Sequence, residues 1–127
     1  MFRFALLLLL PLAACLSAPP APKEPLAQLL EGRRVAYQDA ESPGQRQVWQ
    51  ADGTTTYYPS AYLGFGEAGR WRVEDGRYCS IFGEQQDWTC WRVETPAQGR
   101  IRFTEIPKGR LGPELFGLRR FEGAFID

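Results

Sequence analysis

Cysteine and histidine are among the side chains that most often act as nucleophile and general base in enzymes. The chain contains three cysteines, Cys15, Cys79 and Cys90, and no histidine. Histidine is the usual general base and the commonest transition-metal ligand. Its absence argues against zinc enzymes and against hydrolases of the Ser-His-Asp type.

Carboxylates could in principle supply a glycosidase-type pair. That chemistry needs two carboxylates held at a defined separation in a cleft, whereas most acidic residues here lie in turn-forming sequences. Asp52 and Asp75, for example, each precede a glycine. We therefore predict no enzymatic activity, no metal and no cofactor. A pair could in principle be drawn from Asp75, Glu84, Asp87 and Glu94.

The N-terminal segment has the order of an export signal. Arg3 precedes an apolar run over residues 4–12, which leads into Leu12-Ala13-Ala14-Cys15. This order resembles the lipobox of bacterial lipoprotein precursors, in which a small-residue cleavage site follows a short apolar region. The resemblance implies cleavage after Ala14, diacylation of Cys15 through a thioether, and a further acyl chain such as palmitate on the new amino terminus. The alternatives are a secretory signal with an incidental cysteine or a short membrane helix, although the run is shorter than the ~20 residues that span a bilayer.

The residue after the predicted lipid site bears on localisation. In lipoproteins of bacteria with two membranes, an Asp at this place commonly retains the protein in the inner membrane, and here it is Leu16. We therefore expect a lipid anchor in the outer membrane, with the protein facing the periplasm. Two or three acyl chains would make that attachment almost permanent.

Composition limits the partners. Removal of residues 1–14 would leave 14 basic against 15 acidic side chains, so the chain lacks the positive excess that binding to nucleic acid requires. Its length fits one domain. We predict a signal peptide over residues 1–14, a lipidated cysteine with a proline-rich tether over residues 15–25, and one antiparallel β domain over residues 26–127.

Cys79 and Cys90 remain once Cys15 is assigned to the lipid. In an exported protein such a pair most simply forms one disulfide. A redox couple would usually be spaced as Cys-x-x-Cys at a helix start, and a thiol nucleophile would need a histidine partner. We therefore predict a structural bridge that contributes roughly 3 kcal/mol by closing a loop of about a dozen residues.

The rest of the chain predicts a small helix and a β meander. Pro25 suits the first turn of a helix that carries Leu26, Leu29 and Leu30 on one face and stops at Gly32, as a lid or plug against the sheet. After Gly32, short alternating runs separated by turn residues predict antiparallel strands, rolled or closed into a barrel. The predicted strands cover residues 34–38, 45–51, 54–58, 70–74, 77–82, 88–95, 100–105 and 115–122.

Two dipeptides, Asp52-Gly53 and Asp75-Gly76, have the composition of two-residue type I′ hairpin turns. The second turn would place Val73 opposite Tyr78. A four-residue loop over residues 83–86 would then place Cys79 directly opposite Cys90, within reach of a disulfide.

Alternation assigns the side chains of this three-strand unit to two faces. The predicted core face carries Trp71, Val73, Tyr78, Phe82, Trp91 and Val93. The outer face carries Arg70, Arg72, Arg77, Cys79, Ile81, Trp88, Cys90 and Arg92. Its arginines and Trp88 could bind an anionic sugar, a lipid headgroup or an acidic protein loop, or they could simply solvate an exposed face with Glu74 and Glu94 as counter-charges.

Three motifs carry a resemblance to short exported alphaproteobacterial proteins of unknown function. They are Trp49-x-x-Asp52-Gly53-Thr54, Gly69-x-Trp71-x-Val73-x-Asp75-Gly76-x-Tyr78-Cys79-Ser80 and Trp88-x-Cys90-Trp91-x-Val93. The resemblance implies hairpins, a core and a disulfide, and no catalytic residue. Gly69-Arg70-Trp71 is also similar to the Gly-x-Trp of the first lipocalin strand, although too few residues follow it here for seven more strands.

Two functions follow as hypotheses. The first is a non-enzymatic cell-envelope lipoprotein that binds an envelope protein or a cell-wall component, or serves a structural role. The second is a small lipocalin-like carrier or a protease-inhibitor-type barrel. A cavity of roughly several hundred Å³ inside the barrel would favour the carrier, and an interior filled with aromatic rings would favour the interaction module.

Overall fold

The segment after Gly32 forms a closed antiparallel barrel in the computed structural model, which describes residues 23–38, 44–60, 64–108 and 118–126. Each strand pairs with the next, and the last pairs with the first. This confirms the predicted all-β, barrel-like fold with one short helix. The elements are α1 Pro25–Leu30, β1 Arg34–Tyr37, β2 Arg46–Trp49, β3 Thr54–Tyr58, β4 Glu67–Glu74, β5 Arg77–Phe82, β6 Thr89–Glu94, β7 Arg100–Glu105 and β8 Arg120–Phe125.

Helix α1 plugs one end of the barrel, as predicted. Pro25 stands in its first turn, where a missing backbone N–H costs nothing. Leu30 is fully buried, and Leu26 and Leu29 pack against the barrel core. Gly32 follows the helix with φ of +73°, a left-handed conformation that glycine adopts without strain.

The two ends of the barrel differ. At the closed end, the backbone N–H of Gly32 donates to the carbonyl of Trp49 over 2.8 Å, and that of Gly76 donates to Oε2 of Glu24 over 3.3 Å. These bonds tie α1 to the short β2–β3 and β4–β5 hairpins. The ends of the strands at Tyr37, Tyr58, Phe82 and Glu105 lie at the opposite end of the barrel, which we call the mouth.

The core lies between the plug and the mouth. Trp71, Tyr78 and Trp91 of the predicted core face are buried, and Val73 and Val93 pack partly against them, while Phe82 is half-buried at the mouth. The rings of Trp49 and Phe103 stack with centroids 5.8 Å apart. The buried cluster comprises Leu30, Val35, Trp49, Trp71, Tyr78, Trp91, Ile101 and Phe103.

One of the two predicted turns is confirmed. Asp75 and Gly76 have φ of 50° and 72°, as a two-residue type I′ turn requires.

The prediction that Asp52-Gly53 forms a two-residue type I′ turn was wrong. Trp49 pairs with Thr55 and the N–H of Gln50 bonds to the carbonyl of Thr54, so the loop has three residues, of which Gly53 has positive φ. The side chain of Asp52 accepts from the N–H and hydroxyl of Thr54, and this bonding suits a type I turn followed by a left-handed glycine.

Five of the eight strands differ in extent from prediction. Strands β1, β2 and β6 are slightly shorter than predicted, at 34–37 rather than 34–38, 46–49 rather than 45–51 and 89–94 rather than 88–95. Strand β4 begins at Glu67 rather than at residue 70, because residues 67–69 pair with β3 and Gly69 also pairs with β5. Strand β8 runs over Arg120–Phe125 rather than 115–122. Gly123, just beyond the predicted end, lies buried inside β8, where a Cβ would be 2.5 Å from Cγ1 of Val35. Of the predicted range, residues 115–117 lie outside the described residues.

The predicted cysteine register is confirmed. Cys79 lies opposite Cys90 across β5 and β6, and their sulfurs form a disulfide 2.05 Å long.

Gly69 and Trp71 lie on β4, the fourth strand, so they do not occupy the place of the lipocalin Gly-x-Trp. The lipobox, Cys15 and the tether as far as residue 22 lie outside the described residues. Among the described residues, no helix has the length and apolar character needed to span a membrane.

Candidate functional site

The predicted outer surface forms in part. The guanidinium of Arg72 lies 4.1 Å from the ring centre of Trp88, and that of Arg70 lies 5.5 Å from it. These contacts are in the cation–π range. Cys79 and Ile81 share this face, yet both are buried. The surface therefore has a covered, cross-linked centre with Arg70 and Arg72 exposed over it.

The remaining arginines of that surface face carboxylates. Arg77 Nη2 is 3.7 Å from Asp75, and Arg92 Nε is 3.9 Å from Glu94. Arg72 also lies 3.3 Å from Glu74. Exposed pairs of this kind contribute about 0–1 kcal/mol each. The face is thus close to charge-balanced, as the solvation interpretation expected, apart from the cluster on Trp88.

The structure does not assemble a carboxylate pair in a cleft from Asp75, Glu84, Asp87 and Glu94. Asp75 lies in the type I′ turn, and Glu84 and Asp87 are exposed in the β5–β6 loop. Glu94 lies 3.7 Å from Arg102 on the outside of the barrel. Within the described ranges, no three Asp, Glu, Cys or His side chains gather closely enough to hold a metal ion.

A cavity of about 210 Å³ opens at the mouth. It holds the volume of roughly seven water molecules at about 30 Å³ each. Aromatic rings form most of its wall, and polar side chains from β2, β5 and β6 form its floor. The lining comprises Tyr37, Gln47, Tyr57, Tyr78, Ser80, Phe82, Gln85, Thr89, Trp91, Phe103, Arg119 and Phe121.

A hydrogen-bond network fixes the floor of the cavity. The Tyr37 hydroxyl donates to Oε1 of Gln47 over 2.7 Å. Nε2 of Gln47 donates to Thr55 Oγ1 over 2.9 Å and to the Tyr78 hydroxyl over 3.1 Å. Nε1 of Trp49 donates to the same Tyr78 oxygen over 3.1 Å. Because each buried polar group has a partner, the network stabilises a polar floor inside an aromatic barrel.

The tyrosines of the floor are held in their neutral form. Burial raises the pKa of Tyr78, an effect opposed by its hydrogen bonds with Ser80, Trp49 and Gln47. Burial also raises the pKa of Tyr37 well above its usual value, and repulsion from Tyr78 and Tyr57 adds to the rise. The floor therefore carries hydroxyl groups without negative charge at neutral pH.

One ion pair lies at the rim. Arg119 donates from Nε and Nη2 to the two carboxylate oxygens of Glu105 over 2.7 and 2.8 Å, a bidentate arrangement. These bonds lower the pKa of Glu105. The Arg119 guanidinium also lies 5.3 Å from the ring centre of Trp91. Arg119 is the one charged side chain among the described residues that line the cavity, and Glu105 neutralises it.

The sequence reasoning missed this site. It placed Tyr78, Phe82 and Trp91 in a packed core and gave no role to Gln47, Ser80 or Thr89. A signal was present, because Ser80 alternates with Tyr78 and Phe82, and Gln47 precedes the inward-facing Trp49 by two positions, where a buried polar side chain needs a partner or a ligand. Residue alternation alone does not indicate that these positions meet at one end of the barrel.

The fold and the cavity together define a small closed β-barrel that α1 plugs at one end and that has, among the described residues, a cavity with polar and aromatic lining at the other. Compared with known proteins, the chain matches no protein family, no curated protein and no solved structure. Its function is therefore argued from the site itself.

Proposed function

We propose that this protein is a non-enzymatic lipoprotein of the cell envelope whose barrel binds a small ligand, or one end of a larger ligand, in its mouth. The observation that carries the proposal is the cavity of about 210 Å³ with a hydrogen-bonded polar floor. An eight-stranded barrel has an interior just large enough to be filled by side chains or to hold one small ligand. Here the half next to α1 is filled and the half at the mouth is open.

The size of the cavity limits what it can hold. Pockets that enclose drug-sized ligands measure about 300–1,000 Å³, so 210 Å³ suits a smaller molecule or a terminal ring. The partial filling by Trp49, Tyr78 and Phe103 explains the modest volume. The cavity is smaller than the several hundred Å³ expected of a carrier and its wall is largely aromatic, so we propose the binding of a small ligand without assigning a carrier role.

The direction of the mouth fits a lipid anchor at Cys15. Residues 16–22 separate Cys15 from Lys23, and an extended tether of that length reaches about 25 Å at ~3.1 Å per residue. Helix α1 then joins the closed end of the barrel. If Cys15 carries the anchor, the chain would enter the barrel at its closed end, and ligands would reach the mouth from the opposite end.

Ligand binding can be tested with N-phenyl-1-naphthylamine, a neutral probe whose fluorescence rises in apolar surroundings. The mature chain, residues 15–127, would carry Cys15→Ser to keep acyl chains out of the measurement. We expect saturable enhancement at one probe per chain. Thr89→Trp, which fills the mouth from β6, should abolish it, whereas Arg34→Trp, on the exposed outside of β1, should preserve it. Absence of saturation, or enhancement that survives Thr89→Trp, would contradict the proposal.

The anchor has its own test. Mass spectrometry of the mature protein extracted from membranes should give an amino terminus at Cys15 with the added mass of two or three acyl chains. An unmodified Cys15 thiol would rule out the lipoprotein assignment and leave the ligand-binding proposal standing.

A second function is supported by the arginine contacts with Trp88. Arg70 and Arg72 are exposed over one indole, and this arrangement suits an anionic polymer such as a cell-wall component. Cosedimentation with purified peptidoglycan tests it. Binding that falls at least fivefold in Arg70→Ala/Arg72→Ala, but not in the exposed Arg34→Ala, would support this surface. Equal sedimentation of all three proteins, or none, would rule it out.

A further inference from the structure

We infer that the mouth selects an uncharged, flat ring that carries a carbonyl, amide or hydroxyl group, and that it rejects anions and cations of the same shape. This inference rests on the proposed ligand-binding function and specifies the chemistry of its ligand. It follows from three properties of the lining, namely its charge, the arrangement of its rings and the direction of its hydrogen bonds.

Charge is the first property. The charged side chain of the lining, Arg119, gives two hydrogen bonds to Glu105. An anionic ligand would have to compete with that carboxylate, and a cationic ligand would meet the guanidinium. Tyr37 and Tyr78 stay protonated, so the floor offers no counter-charge either. Moving an ion out of water without a partner is unfavourable, and a charged ligand therefore loses affinity.

The rings of the wall give the second property. The centroid of Phe121 lies 5.8 Å from that of Tyr37 and 5.5 Å from that of Trp91. Tyr37 in turn lies 6.1 Å from Phe103 and 6.3 Å from Tyr57. These tilted and edge contacts surround the opening with ring faces and edges. A flat aromatic ligand gains offset-stacked or edge-to-face contacts in such a setting, and a saturated ring of equal size does not.

The direction of the hydrogen bonds gives the third property. The Tyr78 oxygen accepts from both Trp49 and Gln47, which occupies its lone pairs. Ser80 lines the cavity beside Tyr78, and its hydroxyl can donate to a ligand or accept from one there. The Tyr37 hydroxyl donates its proton to Gln47, so its oxygen remains an acceptor. The floor thus presents a hydroxyl group at Ser80 and an acceptor at Tyr37.

Benzamide, benzoate and benzamidine test the inference, because they share one shape and differ in charge. Each would be titrated against the mature Cys15→Ser chain loaded with N-phenyl-1-naphthylamine, and displacement of the probe would be measured. We expect benzamide to displace the probe at a concentration at least tenfold below that of benzoate or benzamidine. Cyclohexanecarboxamide, which keeps the amide but not the flat ring, should be at least threefold weaker than benzamide.

Two variants test the stated causes. Glu105→Gln removes the partner of Arg119, and we expect it to improve displacement by benzoate at least tenfold with little change for benzamide. Ser80→Ala should weaken benzamide at least threefold and leave toluene, which makes no hydrogen bond, unchanged. An unchanged benzoate affinity in Glu105→Gln, or an unchanged benzamide affinity in Ser80→Ala, would overturn the role assigned to that residue.

These measurements distinguish a failure of the inferred ligand selectivity from a failure of the proposed ligand binding. If the probe binds in a Thr89→Trp-sensitive manner but benzoate or benzamidine displaces it as well as benzamide does, the inferred selectivity is wrong and ligand binding stands. If the probe does not bind in the mouth at all, the proposed function itself fails.

Discussion

Trp49 and Tyr78 face each other across the barrel interior, with the indole Nε1 donating to the phenolic oxygen over 3.1 Å. Their rings meet edge to face with centroids 6.0 Å apart. They belong to β2 and β5, which are not neighbours in the sheet. The pair therefore fixes opposite walls of the barrel and separates its filled half from its open half.

Removal of the Tyr78 hydroxyl should destabilise the protein strongly. Tyr78→Phe leaves the buried donors of Trp49 and Gln47 without their shared acceptor, at a cost of about 1–3 kcal/mol for each donor. We expect the free energy of unfolding in urea to fall by at least about 2 kcal/mol. Tyr58→Phe, on the outer side of β3, is the matched control and should change it by less than about 0.5 kcal/mol. Equal effects of the two variants would contradict the network.

Stability should fall in alkaline solution. The pKa values of Tyr37 and Tyr78 are raised in the folded state, so unfolded chains lose these protons first as pH rises. The stabilisation is complete below the unfolded tyrosine pKa of about 10 and is lost as pH rises toward the folded values. Each tyrosine contributes a slope of up to about 1.4 kcal/mol per pH unit above that point. Urea unfolding at pH 8 to 11 measures the slope, and Tyr37→Phe should reduce it. An unchanged slope in that variant would contradict the assignment.

Loss of the disulfide should lower the free energy of unfolding but leave the chain folded. Cys79 and Cys90 are separated by 11 positions, and closing so short a loop stabilises by roughly 3 kcal/mol in the chain-entropy model. Cys79→Ala/Cys90→Ala should lower the free energy of unfolding by about that amount while the circular-dichroism spectrum keeps its β signal. Dithiothreitol should destabilise the native chain and leave the double variant unaffected. A double variant that still responds to dithiothreitol would show that another thiol is involved.

Barrel closure depends on the absence of a side chain at Gly123. A Cβ there would lie 2.5 Å from Val35 Cγ1 and 2.7 Å from the carbonyl oxygen of Ala36, both on β1. Gly123→Ala should therefore force β8 away from β1 and lower the free energy of unfolding by about 1–3 kcal/mol, the usual cost of overpacking. Gly64→Ala is the control, since no atom lies within 4 Å of the added carbon, and it should be neutral to within about 0.5 kcal/mol. A neutral Gly123→Ala would mean that the β1–β8 seam is looser than described.

Local patterns were sufficient for much of the barrel. The spacing of Leu26, Leu29 and Leu30 predicted the plug, and alternation predicted that Trp71 and Tyr78 point inward. Asp75-Gly76 predicted its turn because type I′ geometry needs two residues that tolerate positive φ. The type I′ prediction for Asp52-Gly53 was wrong because the same dipeptide also fits a three-residue loop in which only the glycine is left-handed.

Other features depend on residues far apart in the chain. The β8 boundary was missed because the reason for a glycine at residue 123 becomes clear only when β1 packs against it. The floor of the mouth joins Gln47 and Tyr78, which are 31 positions apart. No periodicity within one strand encodes their meeting.

The sequence by itself determined the strand order, the plug and the register of Cys79 opposite Cys90, because alternation and turn geometry act over a few neighbouring residues. Only the tertiary structure decided that β8 closes on β1, that the interior is filled at one end and open at the other, and that Arg119 is neutralised by Glu105. These features depend on how far each strand is staggered around the barrel, and that stagger follows from all the strand pairings together.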